Sequence, residues 1–294
     1  MKTVLLLAGG SSNEREVSLR SGDTVEKALV QAGHKVLRID PANTDLDINN
    51  YSKNVDVAFI ALHGAGGEDG TIQQQLHTAS IPFTTSCIEA SRLCWNKWTY
   101  KQFLIKHDFP VSRGILVTEE DLRGLEFSRP FVLKPIEGGS TIDVVIAREP
   151  TEDNLILARK YLKKYSQMLL EEVIEGPEVT VVIMGETALP VVEIIPPPNQ
   201  EFDYTNKYNG ASQEIVPPLN ITKNLQIKVQ DLALRIHKLA GCAGMSRTDI
   251  IIDKSGHPYI LETNTIPGLS EQSLLPKATA AAGLNMEQVV SMLI

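Results

Sequence analysis

The sequence predicts an α/β fold, with an N-terminal domain on a parallel sheet and a longer mixed α+β region behind it. Two observations carry this. Short apolar runs at 4–8, 35–39 and 55–62 alternate with a helical stretch over 14–32, the rhythm of parallel strands joined by crossover helices. After Lys97 the texture changes. A helix over 97–107 is followed by runs at 114–117, 131–134, 143–147, 168–172 and 178–184, interrupted by one helix near 152–164. That succession reads as antiparallel strands with helices set apart. With 294 residues, 43% of them hydrophobic, the chain has material for roughly two domains with a real core.

In order along the chain, the first run ends at Gly9-Gly10 and the helix closes at Gly33. The third run ends at His63-Gly64. Parallel sheets bind ligands beyond the carboxyl ends of their strands, where both glycine-containing turns fall. The first run is too short for a signal peptide and reads as a strand. No apolar stretch is long enough to span a bilayer. The last third predicts a strand over 188–195, a polar stretch over 196–218, a helix over 224–239, strands at 249–252 and 259–262, and two short closing helices. A net charge of -8, without long like-charge runs, speaks against nucleic acid or an anionic membrane surface as partner. Cys87, Cys94 and Cys242 are scattered and lack metal-type spacing, which reads as plain thiols in a reducing cytosol.

Five constellations carry chemistry. The strand Phe131-Val132-Leu133-Lys134 runs into Gly138-Gly139-Ser140-Thr141, where backbone N–H groups and hydroxyls can approach phosphate oxygens beside a lysine. It is not the P-loop spacing, and a glycine hairpin with a surface lysine fits it equally well. Arg247-Thr248-Asp249 and Leu261-Glu262-Thr263-Asn264 sit at strand edges. Residues two apart share a strand face, so Glu262 and Asn264, with Asp249 from a neighbour, offer oxygen ligands of the kind Mg²⁺ takes. A solvated hairpin face is the alternative. In the glycine-rich loop 62–70, His63 is either a turn histidine bonded to its own loop or a group orienting Glu14. Glu14 is otherwise a first-turn helix acid. Residues 202–208, with two tyrosines and a lysine in a long polar stretch, read as a lid. Ile266-Pro267-Gly268-Leu269-Ser270, with Ser273-Leu274 behind, is read as opening a helix whose N–H groups hold an oxyanion or carboxylate.

These pieces, in this order, resemble the D-alanine–D-alanine ligases over nearly the whole chain. Gly9 to Ser18, His63 to Gly70, the lid with Phe202 in its first position, and Glu262 to Gly268 carry the likeness. The resemblance implies an ATP-grasp fold: an N-terminal parallel-sheet domain (1–94), a central α+β subdomain (95–178) and a C-terminal α+β subdomain (179–294). It implies joining of two D-alanines through an acyl phosphate, for peptidoglycan precursors, by a cytoplasmic homodimer using ATP and Mg²⁺ (or Mn²⁺). By the same resemblance Lys97 and Lys134 contact phosphates and Lys207 reaches the γ-phosphate. Glu171, Glu172 and Ile174 line the adenine pocket and Glu178 holds the ribose. Asp249, Glu262 and Asn264 bind two Mg²⁺. Glu14, with His63 near it, takes the first D-alanine, and Ser140 and Tyr208 link that site to the lid. Arg247 and the Gly268 N–H stabilise the tetrahedral intermediate, and Ser273 and Leu274 receive the second carboxylate.

Four positions depart from the family pattern. Asp143 replaces a glycine, Glu172 a lysine, Gln74 a glycine, and Thr248 the middle residue of Arg-Val-Asp. A carboxylate at 143 is expected to weaken ATP binding unless its side chain turns outward. A D-lactate-using ligase, a ligase with another second substrate, and a nucleotide-binding relative without catalysis are the rival readings. Tyr208 speaks against lactate, since lactate-using relatives place a histidine there.

Overall fold

The computed structural model describes residues 1–43, 47–124, 129–197 and 212–294. Strands β1 (Thr3–Leu7), β2 (Lys35–Ile39) and β3 (Val57–Ile60) form a parallel sheet of order β2-β1-β3. The middle strand is covered on both faces, so Val4 to Leu7 are a continuous apolar run with no exposure rather than an alternating one. Helix α1 (Arg15–Gln31) turns Val17, Val25, Ala28 and Leu29 inward at helical spacing. Helices α2 (Thr71–Thr78) and α3 (Ile88–Trp95) were not foreseen. They are short, and neither Gly70 nor Cys87 at their N-caps offers a side-chain capping bond, so the usual start signal is missing.

Helix α4 (Lys97–Lys106) starts where the Asn96 side chain accepts the Thr99 N–H at 2.9 Å. Strand β4 (Gly114–Val117), helix α5 (Glu119–Gly124), strands β5 (Phe131–Pro135) and β6 (Val145–Ala147), helix α6 (Glu152–Tyr165) and strand β7 (Met168–Glu172) follow. A Thr151–Asn154 capping box opens α6. The antiparallel sheet has order β4-β7-β5-β6. Phe131, Leu133, Val145 and Ala147 pack with Ala158 and Leu162 of α6. The alternate residues of β5, Val132 and Lys134, face a cleft instead.

The last sheet has order β11-β10-β8-β12-β13, from β8 (Glu178–Met184), β10 (Val192–Ile195), β11 (Gln213–Ile215), β12 (Met245–Ile252) and β13 (Pro258–Asn264), with β9 (Thr187–Ala188) beside β8. The single strand expected over 188–195 is therefore two. Pro190, which has no N–H to give a ladder, lies between them. Strand β11 falls within the stretch read as polar loop. It is an edge strand held by backbone pairing of Gln213 to Ile215 with Glu193 to Ile195, which leaves no apolar pattern to read. Helices α7 (Lys223–Leu239), α8 (Leu274–Ala281) and α9 (Met286–Leu293) complete the chain.

Strand β8 separates two cores with period two. Val182 and Met184 join a core built on β1 and β3, while Val179, Val181 and Ile183 join one capped by Val229, Ala233 and Ile236 of α7. The first core also contains Leu275, Ala278, Val289 and Val290 from α8 and α9. The N-terminal sheet thus completes its core with the end of the chain. Among the described residues, no helix is long and apolar enough to cross a membrane.

Candidate active site

Three loops converge beyond the carboxyl end of the parallel sheet. Glu14 caps α1 and is buried. Its N–H donates to Ser12 Oγ at 3.1 Å, and that hydroxyl donates to the His63 carbonyl at 2.6 Å. Ser140 Oγ, from the glycine loop after β5, donates to Glu14 Oε1. A Cβ on Gly139 would lie 2.8 Å from Glu14 Oε2, so the loop passes close against the carboxylate there. The expected meeting of Glu14 and Ser140 is present.

His63 behaves differently from both readings of it. Its Nδ1 lies 3.1 Å from the Ile266 carbonyl and its Nε2 2.8 Å from Ser21 Oγ, which in turn accepts the Leu269 N–H at 3.1 Å. A carbonyl can only accept, so Nδ1 carries the proton and Nε2 accepts from Ser21. The ring's hydrogen bonds therefore fix the loop 266–269 against α1, while within its own loop it makes the longer 3.6 Å approach to Glu68. Gly268 also needs correction. Helix α8 begins at Leu274 with Ser273 as its N-cap, so Gly268 lies in the preceding loop. Ser273 Oγ is 2.9 Å from Ser270 Oγ. Glu14, His63, Arg247, Asn264, Gly268, Ser273 and Leu274 together line a cavity of about 80 Å³.

The β12–β13 ladder places the expected oxygen donors as the strand period requires. Asp249 is opposite Glu262, and Arg247 opposite Asn264, on one face. Two carboxylates directly opposite one another repel unless a cation intervenes. Here Arg247 holds both oxygens of Asp249, Nε at 2.9 Å and Nη2 at 2.7 Å, and Thr180 Oγ1 donates to Oδ1 at 2.6 Å. Asn264 Oδ1 accepts the Ile266 N–H at 2.8 Å and keeps a second lone pair. Thr248, on the opposite face, meets Thr263 Oγ1 at 2.8 Å, which Tyr100 Oη reaches at 2.5 Å. The departure from valine there is satisfied by a buried hydroxyl pair.

A larger cleft, about 570 Å³, opens between the central and last sheets. Lys134, Glu171, Glu172, Ile174, Glu178, Asp249 and Glu262 are among its walls. In it Lys134 Nζ contacts Glu171 Oε2 at 2.6 Å, because Lys134 is diagonal to Glu171 across the β5–β7 ladder. Burial raises the Glu171 carboxyl, but Lys134 and Lys101 outweigh it and hold it at about 2. Lys97 donates to the Gly138 carbonyl and lies 3.9 Å from Glu262. Burial lowers its pKa, with Glu262 opposing. The cleft and the small cavity share one wall, made of Lys97, Gly138, Gly139, Ser140 and Glu262. Lys207 and Tyr208 lie outside the described residues.

Residues 103–294 match the family model for the D-ala D-ala ligase C-terminus, and residues 40–86 that for its N-terminus. The chain belongs to the D-alanine–D-alanine ligase family. It is 40% identical to the D-alanine–D-alanine ligase of Syntrophobacter fumaroxidans, with 99% of this chain and 96% of the relative covered. It is 37% identical to that of Syntrophotalea carbinolica, covering 98% and 94%. Among solved structures it is similar to the D-alanine–D-alanine ligase of Bacillus anthracis, with TM-score 0.85, 30% identity and coverage of 100% and 96%. It is also similar to the VanG D-Ala:D-Ser ligase of Enterococcus faecalis, with TM-score 0.83, 26% identity and coverage of 99% and 98%.

Against this ligase family, the substitution at 143 now has a structural account. Ile142 and Val144 line the cleft. The Asp143 carboxylate instead accepts Lys164 Nζ at 2.6 Å and Tyr165 Oη at 2.5 Å on α6. Burial would raise its pKa, but those two bonds lower it. The Glu172 carboxylate accepts the Arg113 N–H at 2.9 Å at the exposed end of β7, and Gln74 lies on an exposed position of α2. Sequence reasoning missed Glu68, whose carboxylate stands 3.6 Å from His63 Nδ1 and lines the small cavity. It also missed Lys101 and Ser112 beside Glu171. One signal was available for Lys101, since it follows Lys97 by one helical turn on α4.

Proposed function

We propose that the chain joins two D-alanine molecules at the expense of ATP, the reaction after which its family is named. The supporting observation is the shared wall: a long cleft suited to a nucleotide meets a small cavity floored by a buried carboxylate. A carboxylate of the first D-alanine, its ammonium held by Glu14, attacks the γ-phosphorus and ADP departs. The amine of the second D-alanine then attacks the acyl carbon and phosphate leaves. Lys97 and Lys134 offset phosphate charge in a site where buried charges act strongly. Arg247 and the Gly268 N–H face the acyl oxygen, and Ser273 with Leu274 takes the second carboxylate. Asp249, Glu262 and Asn264 supply the oxygen donors Mg²⁺ prefers, and when bound it would neutralise charge on the transferring phosphoryl group. Release of ADP in a coupled assay, with D-alanine, L-alanine or no amino acid, tests the reading. Turnover that requires D-alanine and Mg²⁺ is expected; equal rates in all three reactions would overturn it. D-serine belongs in the same panel, because the fold is equally that of a D-Ala:D-Ser ligase.

A further inference from the structure

Behind Lys134, the nucleotide cleft contains a buried charge arrangement in which Glu171, Lys101 and Ser112 have no part in the reaction above. Glu171 receives two ammonium groups, one on each oxygen. Lys134 Nζ contacts Oε2 at 2.6 Å, and Lys101 Nζ contacts Oε1 at 2.5 Å. Ser112 Oγ also donates to Oε1, at 2.9 Å, and accepts from Lys101 at 3.1 Å. All four side chains are buried: Glu171 is 7% exposed, Lys101 5%, Ser112 4% and Lys134 9%. Lys134 and Glu171 border the cleft; Lys101 stands behind Glu171, on α4. Room for it is built in. A Cβ on Gly114, which is opposite Glu171 in the β4–β7 ladder, would lie 3.0 Å from both Glu171 Cγ and Lys101 Cε.

We propose that Lys101 is a positioning residue for nucleotide binding: with Ser112 it keeps Glu171 paired, so that Lys134 is released to a phosphate. This rests on the reading of the cleft as the ATP site. The physical argument is one of charge balance. One carboxylate and two ammoniums leave an excess positive charge in a buried place, which an incoming polyanion neutralises. A buried carboxylate stripped of its only cationic partner is strongly unfavourable. If Lys134 were that only partner, Glu171 would compete with ATP for it. Lys101 removes the competition without touching the nucleotide. Burial lowers the Lys101 pKa and Glu171 opposes that shift; the direct Lys101–Glu171 and Lys101–Ser112 contacts carry the pairing.

The test is a double-mutant cycle in the full chain, read by calorimetric ATP binding without amino acid and by the KM for ATP at saturating D-alanine. Lys101→Met is expected to weaken ATP binding about tenfold and to leave the KM for D-alanine within about threefold. In a Glu171→Gln background the same change should alter ATP binding less than about twofold, because a neutral amide needs no counter-charge. Lys101→Arg should recover part of the loss, and Ser112→Ala should reproduce it weakly in a chain that keeps both charges. An equal loss in both backgrounds would mean a merely structural role and overturn the proposal. So would unchanged ATP binding in Lys101→Met while the parent binds ATP. If Lys101→Met does not fold, an unchanged ATP affinity in Ser112→Ala overturns it. Absence of ATP binding in the parent chain would instead sink the reading of the cleft itself.

Discussion

At position 143 the side chain's direction decides the sign of its effect. A carboxylate in a phosphate loop suggests repulsion, and with it an Asp143→Gly variant that binds ATP better. The carboxylate is in fact neutralised by Lys164 and held by Tyr165, outside the cleft wall. It also ties down a loop in which Ser140, Thr141 and Asp143 all have positive φ, of 53°, 59° and 56°. Such backbone costs a non-glycine residue about 1 kcal/mol. Asp143→Gly relieves that strain and loses the tether, so its KM for ATP should stay within about threefold of the parent. Lys164→Met leaves the carboxylate uncompensated and should raise the KM for ATP about threefold, an increase that disappears when Asp143 is also glycine. ATP titrations at saturating D-alanine on the four proteins check this.

Among the elements, the β12–β13 hairpin carries the heaviest chemical load. On the proposed Mg²⁺ site, Glu262→Gln and Asp249→Asn should each lower kcat about a hundredfold in ADP-release assays across a Mg²⁺ series, since one carboxylate fewer weakens metal binding and leaves the transferring charge less compensated. Their stabilities should differ. Asp249 is buried, with both oxygens held by Arg247 and one by Thr180, so Asp249→Asn weakens a tightly bonded buried pair and should lower Tm more than Glu262→Gln, whose half-buried carboxylate lies 3.9 Å from Lys97. Helix α7 offers a pH-dependent counterpart. His237 is buried with Nδ1 2.7 Å from Ser246 Oγ, and burial, with a smaller push from Lys238, brings its pKa from 6.5 down to about 4. The unfolded chain therefore takes up this proton at higher pH than the folded one. The stability involved is complete above 6.5 and is lost as pH falls toward about 4. Urea midpoints at about pH 7.5 and about pH 5 should fall further for the parent than for His237→Gln.

At the scale of the molecule, the first core joins both ends of the chain. Leu5 and Phe59 of the N-terminal sheet share it with Val182, Leu275 and Val290. The N-terminal stretch is legible as a unit because its βαβ pattern is local. Its core is not local. Residues 1–94 expressed alone should accordingly fail to fold, giving a poorly dispersed amide spectrum, because the apolar faces of β1, β3 and α1 lose their cover. A well-dispersed spectrum from that fragment would show that the sheet needs only its own residues.

What the sequence determined by itself is whatever depends on near neighbours. The alternation of β8 and the run of β1 come from period and composition. The shared face of Asp249, Glu262 and Asn264 follows from the two-residue repeat of a strand. The ordered motifs were enough for the family. Strand β11 and helices α2 and α3 escaped because backbone pairing or tertiary cover, not pattern or capping, sustains them. Tertiary structure alone decided which partner each buried polar group takes. It turned His63 to Ser21 and Ile266, gave Glu171 a second lysine from α4, and pointed Asp143 at α6 instead of the cleft. The reason is that a buried charge or donor must be paired wherever a partner stands. Those partners come from elements tens or hundreds of residues away, which no local repeat records.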